Sequence, residues 1–328
     1  MSDPGLSPTI DDIIDAATRI ATYAHRTPLL ESAALNERVG GRVLLKCENL
    51  QRTGSFKFRG AYNRISRLSD DELSGGIITV SSGNHAQGVA AAAALCGARA
   101  TIVMPQDAPT IKVNNTKALG ADIVTFDRGV DDREEFAAQV HAERGGVFVH
   151  PYEHAHIIAG QGTSALEAVR EMQTSGDTFD AYLVPCGGGG LTAGSAIAIS
   201  ETMPETEIYA VEPADFDDTG RSLASGVRMK NAALSGSICD ALLAHTPGEL
   251  TFSINSKLLK GALSVSDEEV RAAVRYAFMT LKLVVEPGGA AGLAACLAGR
   301  IDCEGKIIGM TLSGGNIDPG LFSEIINA

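Results

Sequence analysis

Three short runs bring together residue types that do chemistry. In Pro185-Cys186-Gly187-Gly188-Gly189-Gly190-Leu191 an apolar stretch enters four consecutive glycines and a small-residue stretch leaves them. Glycines let a backbone turn tightly and aim several N–H groups at one point, and a following helix would add the positive end of its dipole. That arrangement suits a phosphate. It is neither the Gly-Lys-Ser/Thr loop of a nucleoside triphosphate site nor a G-x-G-x-x-G dinucleotide turn. A flexible turn is the plain alternative, but four glycines in a row are entropically costly. In Thr53-Gly54-Ser55-Phe56-Lys57-Phe58-Arg59-Gly60-Ala61, Lys57 lies between two phenylalanines. Aromatic neighbours would desolvate its amine and lower its pKa, as a Schiff-base lysine requires. Taken alone, the run is equally compatible with a solvated surface lysine. Ser81-Ser82-Gly83-Asn84-His85-Ala86-Gln87-Gly88 closes an expected strand and opens an alanine-rich helix, where backbone N–H groups suit a carboxylate. Ser82 or Asn84 as a simple N-cap explains one polar residue but not the run.

Two further clusters have metal-ligating residue types. Glu212-Pro213-Ala214-Asp215-Phe216-Asp217-Asp218 reads most simply as a solvated acidic turn, though oxygen ligands at this spacing can hold Mg²⁺ or Ca²⁺. His150, His154 and His156 suggest zinc, but no carboxylate or thiolate lies at a familiar spacing, so a loop lining a cleft is the better reading. The six cysteines are scattered without a C-x-x-C pair and read as reduced thiols of a cytosolic protein.

The elements that must position these residues alternate along the chain. A helix is expected over 9–21, with Thr9 as its N-cap and isoleucines at helical spacing, then a strand over 42–47. Strands at 76–82, 100–105, 122–127 and 147–151 alternate with helices at 84–97, 109–120 and 131–145. The second of these helices has Pro109 early and Gly120 late. Helix 157–172, strand 181–186, helix 191–200 and strand 207–213 follow, then an irregular acidic stretch. Helices at 267–281 and 289–297, a strand at 306–314 and a short terminal helix complete the pattern. Several strands are continuous apolar runs, as parallel strands buried on both faces are, which predicts a doubly wound α/β architecture. The 328 residues fit about two domains or one large α/β unit, and 45% hydrophobic with 20% charged residues fits a soluble globular protein. With 27 basic and 40 acidic residues the formal charge is −13, which argues against nucleic acid and anionic membranes as main partners. The greasiest stretch, 89–96, is too short to span a bilayer, and the acidic N-terminus lacks a signal-peptide core, so a cytoplasmic protein is expected. With nothing after Ala328, a C-terminal regulatory domain is not expected.

In this order and at these separations, SFKFRGA, SSGNHAQG, PCGGGGL and LSGGN (312–316) resemble the signature runs of the fold-type II pyridoxal-phosphate enzymes. Within them the chain is most similar to the serine/threonine dehydratase and serine racemase branch. TPLLES (27–32), IAGQGT (158–163) and VVEPGGAAGLAA (284–295) extend the resemblance over nearly the whole chain. The resemblance implies two doubly wound open-sheet domains with the cofactor in the cleft between them. Residues 1–52 and 150–328 would form the large domain and 53–149 the small one. A homodimer is implied as well.

The same resemblance assigns roles. Lys57 would form the Schiff base with pyridoxal 5'-phosphate and later take the Cα proton. Gly187, Gly188, Gly189, Gly190 and Leu191 would hold the phosphate, Asn84 the ring hydroxyl, and Phe56 would cover a ring face. Ser313 would face the pyridine nitrogen; an uncharged hydroxyl makes the ring a weaker electron sink, which favours elimination over transamination. Ser81, Gly83 and His85 would receive the substrate α-carboxylate. Ser82, opposite the lysine, would assist the leaving hydroxyl or serve a racemase. Glu212, Asp218 and the Phe216 carbonyl match the cation site of metal-activated serine racemases, which tips the acidic loop towards Mg²⁺, Mn²⁺ or Ca²⁺. Tyr152 stands where the branch usually has Asn, which alters the pocket beside the cofactor. Arg133 matches an arginine that can meet a second carboxylate, although a surface pair on its own acidic helix is the alternative. The expected activity is therefore a dehydratase (ammonia-lyase) on a β-hydroxy-α-amino acid, with 3-hydroxyaspartate ahead of threonine or serine. A serine or aspartate racemase is the nearest rival. A non-catalytic sensor would be expected to lose Lys57 or Ser82, and both are present.

Overall fold

The computed structural model describes residues 6–108, 110–127, 130 and 133–328; the side chains of residues 110, 111, 133 and 134 lie outside that description. The chain opens with α1 (Ile10–Ile20), closed by a capping box in which the Thr9 and Asp12 side chains each accept from the other's N–H. It continues through β1 (Leu29–Glu31), α2 (Ala33–Val39), β2 (Arg42–Cys47), α3 (Lys57–Ile65) and α4 (Asp70–Gly75). An alternating segment follows: β3 (Ile77–Val80), α5 (Asn84–Leu95), β4 (Ala100–Pro105), α6 (Thr110–Ala118), β5 (Asp122–Phe126), α7 (Arg133–Arg144) and β6 (Val147–Phe148). The long α8 (Ala155–Ser175) leads to β7 (Ala181–Pro185), α9 (Gly190–Thr202), β8 (Glu207–Pro213), α10 (Asp218–Ser225), α11 (Glu249–Leu258) and β9 (Gly261–Val265). The chain finishes with α12 (Asp267–Tyr276), α13 (Ala291–Leu297), β10 (Ile307–Leu312) and α14 (Pro319–Asn327).

Two sheets result. Six strands run in the order β1-β2-β10-β7-β8-β9 and four in the order β5-β4-β3-β6. Every pairing is parallel except that of the short edge strand β1 with β2, which is antiparallel and was not expected from the apolar pattern. Alternate residues serve opposite faces of the larger sheet. Val43, Leu45, Leu183, Met310 and Leu312 pack towards α12 and α13, whereas Leu44, Tyr182 and Val184 pack towards α1, α8 and α9. The smaller sheet behaves likewise: Ile77, Ile102 and Met104 enter one core, Ile78 and Val103 another. These continuous apolar strands are buried on both faces, as the sequence pattern predicts.

Some elements differ from expectation for identifiable reasons. The strand expected over 147–151 is confined to Val147–Phe148; Pro151 has no N–H to extend it. Asp218, expected in an irregular stretch, opens α10 because Glu212 accepts the N–H groups of Thr219 and Gly220, both at 2.8 Å. The helix expected to reach Leu281 ends as a regular helix at Tyr276 and unwinds through a wider turn to Lys282, whose φ of 61° is left-handed. Pro109, expected early in α6, lies outside the described residues.

Helix α8 joins the two halves through glycine. A Cβ on Gly160 would lie 2.6 Å from the Gly60 Cα in α3, and one on Gly162 would lie 2.6 Å from the Gly194 carbonyl oxygen in α9. Both helices therefore approach α8 at backbone contact. Beside the α3 contact lies a buried ionic cluster. Arg59 donates to both oxygens of Glu48, at 2.7 and 2.8 Å, and to both oxygens of Glu167, at 2.8 and 2.9 Å. Lys46 completes the cluster with bonds of 2.6 Å to Glu167 and to the Thr27 carbonyl. Two cations thus face two carboxylates, and the Arg59 guanidinium and Lys46 hold the Glu48 carboxyl below its usual range against the effect of burial.

Candidate active site

Lys57 opens α3 where the carboxyl end of β10 meets residues 54–56. The Phe56 N–H donates to the Ser313 carbonyl at 3.1 Å, and the Gly315 N–H to the Gly54 carbonyl at 2.9 Å. Gly88 lies against the lysine's backbone: a Cβ there would be 3.1 Å from the Lys57 carbonyl carbon. The last glycine of the SSGNHAQG run thus lets α5 approach the lysine. The Lys57 ammonium donates to the Pro151 carbonyl at 3.0 Å and lies 5.0 Å from the centre of the Phe56 ring. Phe58, its other aromatic neighbour in sequence, points into the core of the smaller sheet and stacks on Tyr62 at 5.7 Å. One aromatic ring, not two, flanks the amine, because successive helical residues diverge by about 100°. Burial pushes the Lys57 pKa down to about 8, with Glu286 opposing the shift.

Asn84 is held at both ends of its amide. Its Nδ2 donates to Glu286 Oε1 at 2.6 Å, and its Oδ1 accepts from Asn316 Nδ2 at 2.8 Å. Asn316 also donates to the Thr53 carbonyl at 2.8 Å. Glu286 is buried and its pKa is raised to about 7, first by desolvation and then by Asp240, against the pull of Asn84, Lys112 and Lys57. Sequence reasoning gave Glu286 no role, although a lone acid inside the apolar, glycine-rich run 284–295 was a readable signal. Ser313 is buried at the end of β10, joined to the Lys57 turn through its own carbonyl.

Residues 81–83 link β3 to α5. The Gly83 N–H donates to Ser81 Oγ at 3.2 Å, and Gln87 is the first α5 residue to bond an acceptor of its own turn, the Gly83 carbonyl at 3.4 Å. Ser82 is half-buried, and a Cβ on Gly83 would meet nothing within 4 Å, so room is left beside this helix start. The His85 ring is buried with Nε2 3.0 Å from the Val149 carbonyl.

The glycine run leaves β7 and enters α9. The N–H groups of Gly187, Gly188, Gly189, Gly190 and Leu191 donate to no acceptor among the described residues. Gly189, Gly190 and Leu191 are buried, and buried N–H groups without partners are rare. A multi-oxygen anion such as the phosphate of pyridoxal phosphate fits this set of donors. Tyr152 covers one side of the run: a Cβ on Gly188 would be 2.3 Å from its ring. The same loop holds the histidines. His150 Nδ1 accepts from the N–H groups of Tyr152 and Glu153, at 3.2 and 2.8 Å, and His154 Nδ1 from the His156 N–H at 3.0 Å. Burial pushes His154 down to about 3 and His156 to about 4. These imidazoles shape the loop that carries the Pro151 carbonyl and Tyr152.

Glu212 and Asp218 stand together and are buried, with Phe216 also buried between them in sequence. Desolvation, reinforced by Asp218, raises Glu212 to about 8, and desolvation raises Asp218 to about 6. Asp218 Oδ1 accepts from Asn231 at 2.7 Å, whereas its buried Oδ2 has no hydrogen-bond partner. Two buried carboxylates with an unused oxygen fit a cation, although no group of three His, Cys, Asp or Glu side chains suited to a metal occurs among the described residues. Arg133 opens α7, and its side chain lies outside the described residues. All six cysteines are free, and no described helix is long and apolar enough to cross a membrane.

The family model for pyridoxal-phosphate dependent enzymes matches residues 20–314. An L-threo-3-hydroxyaspartate ammonia-lyase of Saccharomyces cerevisiae is 42% identical over 98% of this chain and 97% of its own. An L-threonine ammonia-lyase of Thermotoga maritima is 40% identical over 97% of this chain and 78% of its own. Among solved structures, maize serine racemase superposes with a TM-score of 0.91 at 38% identity, covering 98% of each chain.

Proposed function

Because this chain belongs to the family of pyridoxal-phosphate-dependent enzymes, we propose that it is an ammonia-lyase that eliminates water from 3-hydroxyaspartate, the released enamine tautomerising to an imine that water hydrolyses to a keto acid and ammonia. The observation that carries the chemistry is the desolvated Lys57 amine, its pKa lowered to about 8, on the Pro151 carbonyl, one residue before the Tyr152 ring that lies against the glycine run with its unpaired N–H groups. Bound there, pyridoxal phosphate supplies a sink for the electrons released at the substrate's Cα. Lys57 acts as base at Cα, held in the cleft by the Pro151 carbonyl whenever its amine is free. Phe56 would cover one face of the ring, and Ser313 would face its nitrogen. Asn84, fixed by Glu286 and Asn316, would hold the ring hydroxyl. Ser81, Gly83 and the start of α5 at His85 receive the α-carboxylate, and Ser82 donates to the departing hydroxyl.

The substrate rests on three supports. The yeast relative carries this activity in its name. Arg133 would pair with the second carboxylate, and Tyr152 would line the pocket beside the phosphate run. A panel of L-serine, L-threonine and the four 3-hydroxyaspartate stereoisomers, followed by keto acid and ammonia, tests this. Preference for threonine over every hydroxyaspartate isomer would sink the substrate assignment. Arg133→Ala should lower kcat/KM by about one to two powers of ten for 3-hydroxyaspartate and little for serine, as loss of a charge-assisted pair predicts. The half-buried Ser82 favours one second reading, a racemase; D-amino acid formed faster than keto acid would establish it. We also assign Glu212, Asp218 and the Phe216 carbonyl to Mg²⁺, Mn²⁺ or Ca²⁺, with a structural role. Chelator should lower the melting temperature and divalent cation restore it; Glu212→Ala and Asp218→Ala with unchanged melting and chelator response would remove the cation. A cytoplasmic homodimer completes the proposal, and light scattering of the purified protein checks its mass.

A further inference from the structure

We infer that Thr251 and Asn255 are positioning residues of the phosphate site, aiming the Gly189 and Gly190 N–H groups through the carbonyls on the other side of those peptides. The inference rests on the reading that the glycine run holds the cofactor's phosphate. Thr251 and Asn255 lie one helical turn apart on α11 and so share a face. Both are buried, at 0% and 1% exposure. Thr251 Oγ1 donates to the Gly188 carbonyl at 2.7 Å, and the Gly248 N–H reaches the same oxygen at 3.4 Å. Asn255 Nδ2 lies 3.5 Å from the Gly189 carbonyl, which also accepts from the Ala193 N–H at 2.8 Å.

In a planar trans peptide the carbonyl and the next residue's N–H point in opposite directions. Holding the Gly188 carbonyl towards α11 therefore turns the Gly189 N–H away from α11, and holding the Gly189 carbonyl turns the Gly190 N–H likewise. Glycine has no side chain with which to fix such an orientation, and Gly189 sits at a φ of 90°. The hold must come from outside the run. Helix α11 supplies it for the Gly188 carbonyl and shares it with the Ala193 N–H for the Gly189 carbonyl, at contact distance: a Cβ on Gly189 would lie 2.8 Å from Asn255 Nδ2 and 3.0 Å from Thr251 Oγ1. Tyr152 also lies against the run, since a Cβ on Gly188 would be 2.3 Å from its ring. Its neighbour Glu153 accepts the Leu250 N–H and so fixes the start of α11. The donors of the phosphate site are thus oriented before any anion arrives.

The test uses the full chain stripped of cofactor and titrated with pyridoxal 5'-phosphate, with the visible band giving Kd and phosphorus NMR reporting the bound phosphate. Thr251→Val keeps the branched shape and removes the donor; Thr251→Ser keeps the donor. Thr251→Val should raise Kd about three- to tenfold and move the phosphorus signal, with substrate KM at saturating cofactor unchanged. Thr251→Ser should stay within about twofold of wild type. If Thr251→Val melts before titration, Thr251→Ala and Asn255→Ala carry the same comparison with smaller side chains. Donor-less variants that load with the wild-type Kd and phosphorus signal overturn the positioning role while leaving the cofactor reading intact. A wild-type chain that takes up no pyridoxal phosphate overturns both.

Discussion

Desolvation, more than aromatic contact, sets the reactivity of Lys57. The sequence flags this lysine through two flanking phenylalanines, yet Phe58 turns away into the smaller sheet's core and the shift arises from burial of the amine. An amine attacks an aldehyde only when unprotonated. With its pKa lowered to about 8, Lys57 is largely charged at pH 7 and largely neutral at pH 9. Cofactor-free protein should therefore combine with pyridoxal phosphate faster as pH rises to about 8 and level off above it. A lysine left at its ordinary value of about 10.5 would keep gaining rate to beyond pH 10. Stopped-flow spectra across pH 6.5–10.5, with Lys57→Ala as the unreactive control, measure the difference. Glu286 was less legible than Lys57 because its meaning depends on a partner 202 positions away, the Asn84 amide.

Among the elements, those that fold on their own pattern were readable and those that depend on neighbours were not. The capped, amphipathic α1 and the apolar strands stand in the sequence. Helix α11, ELTFSINSKL, contains weak helix formers and has no side-chain cap at Gly248, so packing against the glycine run rather than propensity holds it. Helix α3 carries Gly60 at its centre, a helix-weakening residue whose purpose appears only when α8 lies against it. Gly160→Ala would force α3 and α8 apart and should lower stability by about 1–3 kcal/mol, as overpacking does, read from the denaturant midpoint. Arg59→Met should be worse, at about 3–5 kcal/mol, because it leaves Glu48 and Glu167 facing Lys46 alone in a buried site. Glu48→Gln made together with Arg59→Met should recover part of that loss, since it removes one uncompensated charge.

At the scale of the whole molecule, the both-face burial of the strands was legible from apolar runs and their division into two sheets only from the family resemblance, while the antiparallel edge was not legible, since three residues carry too little pattern. The order of strands also lay beyond the sequence: β10, last in the chain, sits between β2 and β7 at the centre of the larger sheet. That late strand brings Ser313 and Asn316 to the turn that precedes Lys57, through Phe56 and Thr53. Strands β3 and β6, where the smaller sheet's segment begins and ends, are neighbours, with Ile77 beside Val147 and the Val149 N–H bonded to the Ile78 carbonyl at 2.9 Å. The chain thus enters and leaves the smaller sheet's segment side by side, and that cassette shares one core with α1, α3 and α8 through Ile20, Phe58, Ile65 and Ile157. Its tips bear Ser81 to Asn84 and the start of α7, the parts that meet substrate in the proposed reaction. A relative's cassette joined at residues 76 and 149, with Gly88 and Asn84 kept for the seam, should melt as a single cooperative unit in calorimetry. In the proposed reaction selectivity would then travel with that piece, provided that its packing on α3 beside Lys57 is preserved.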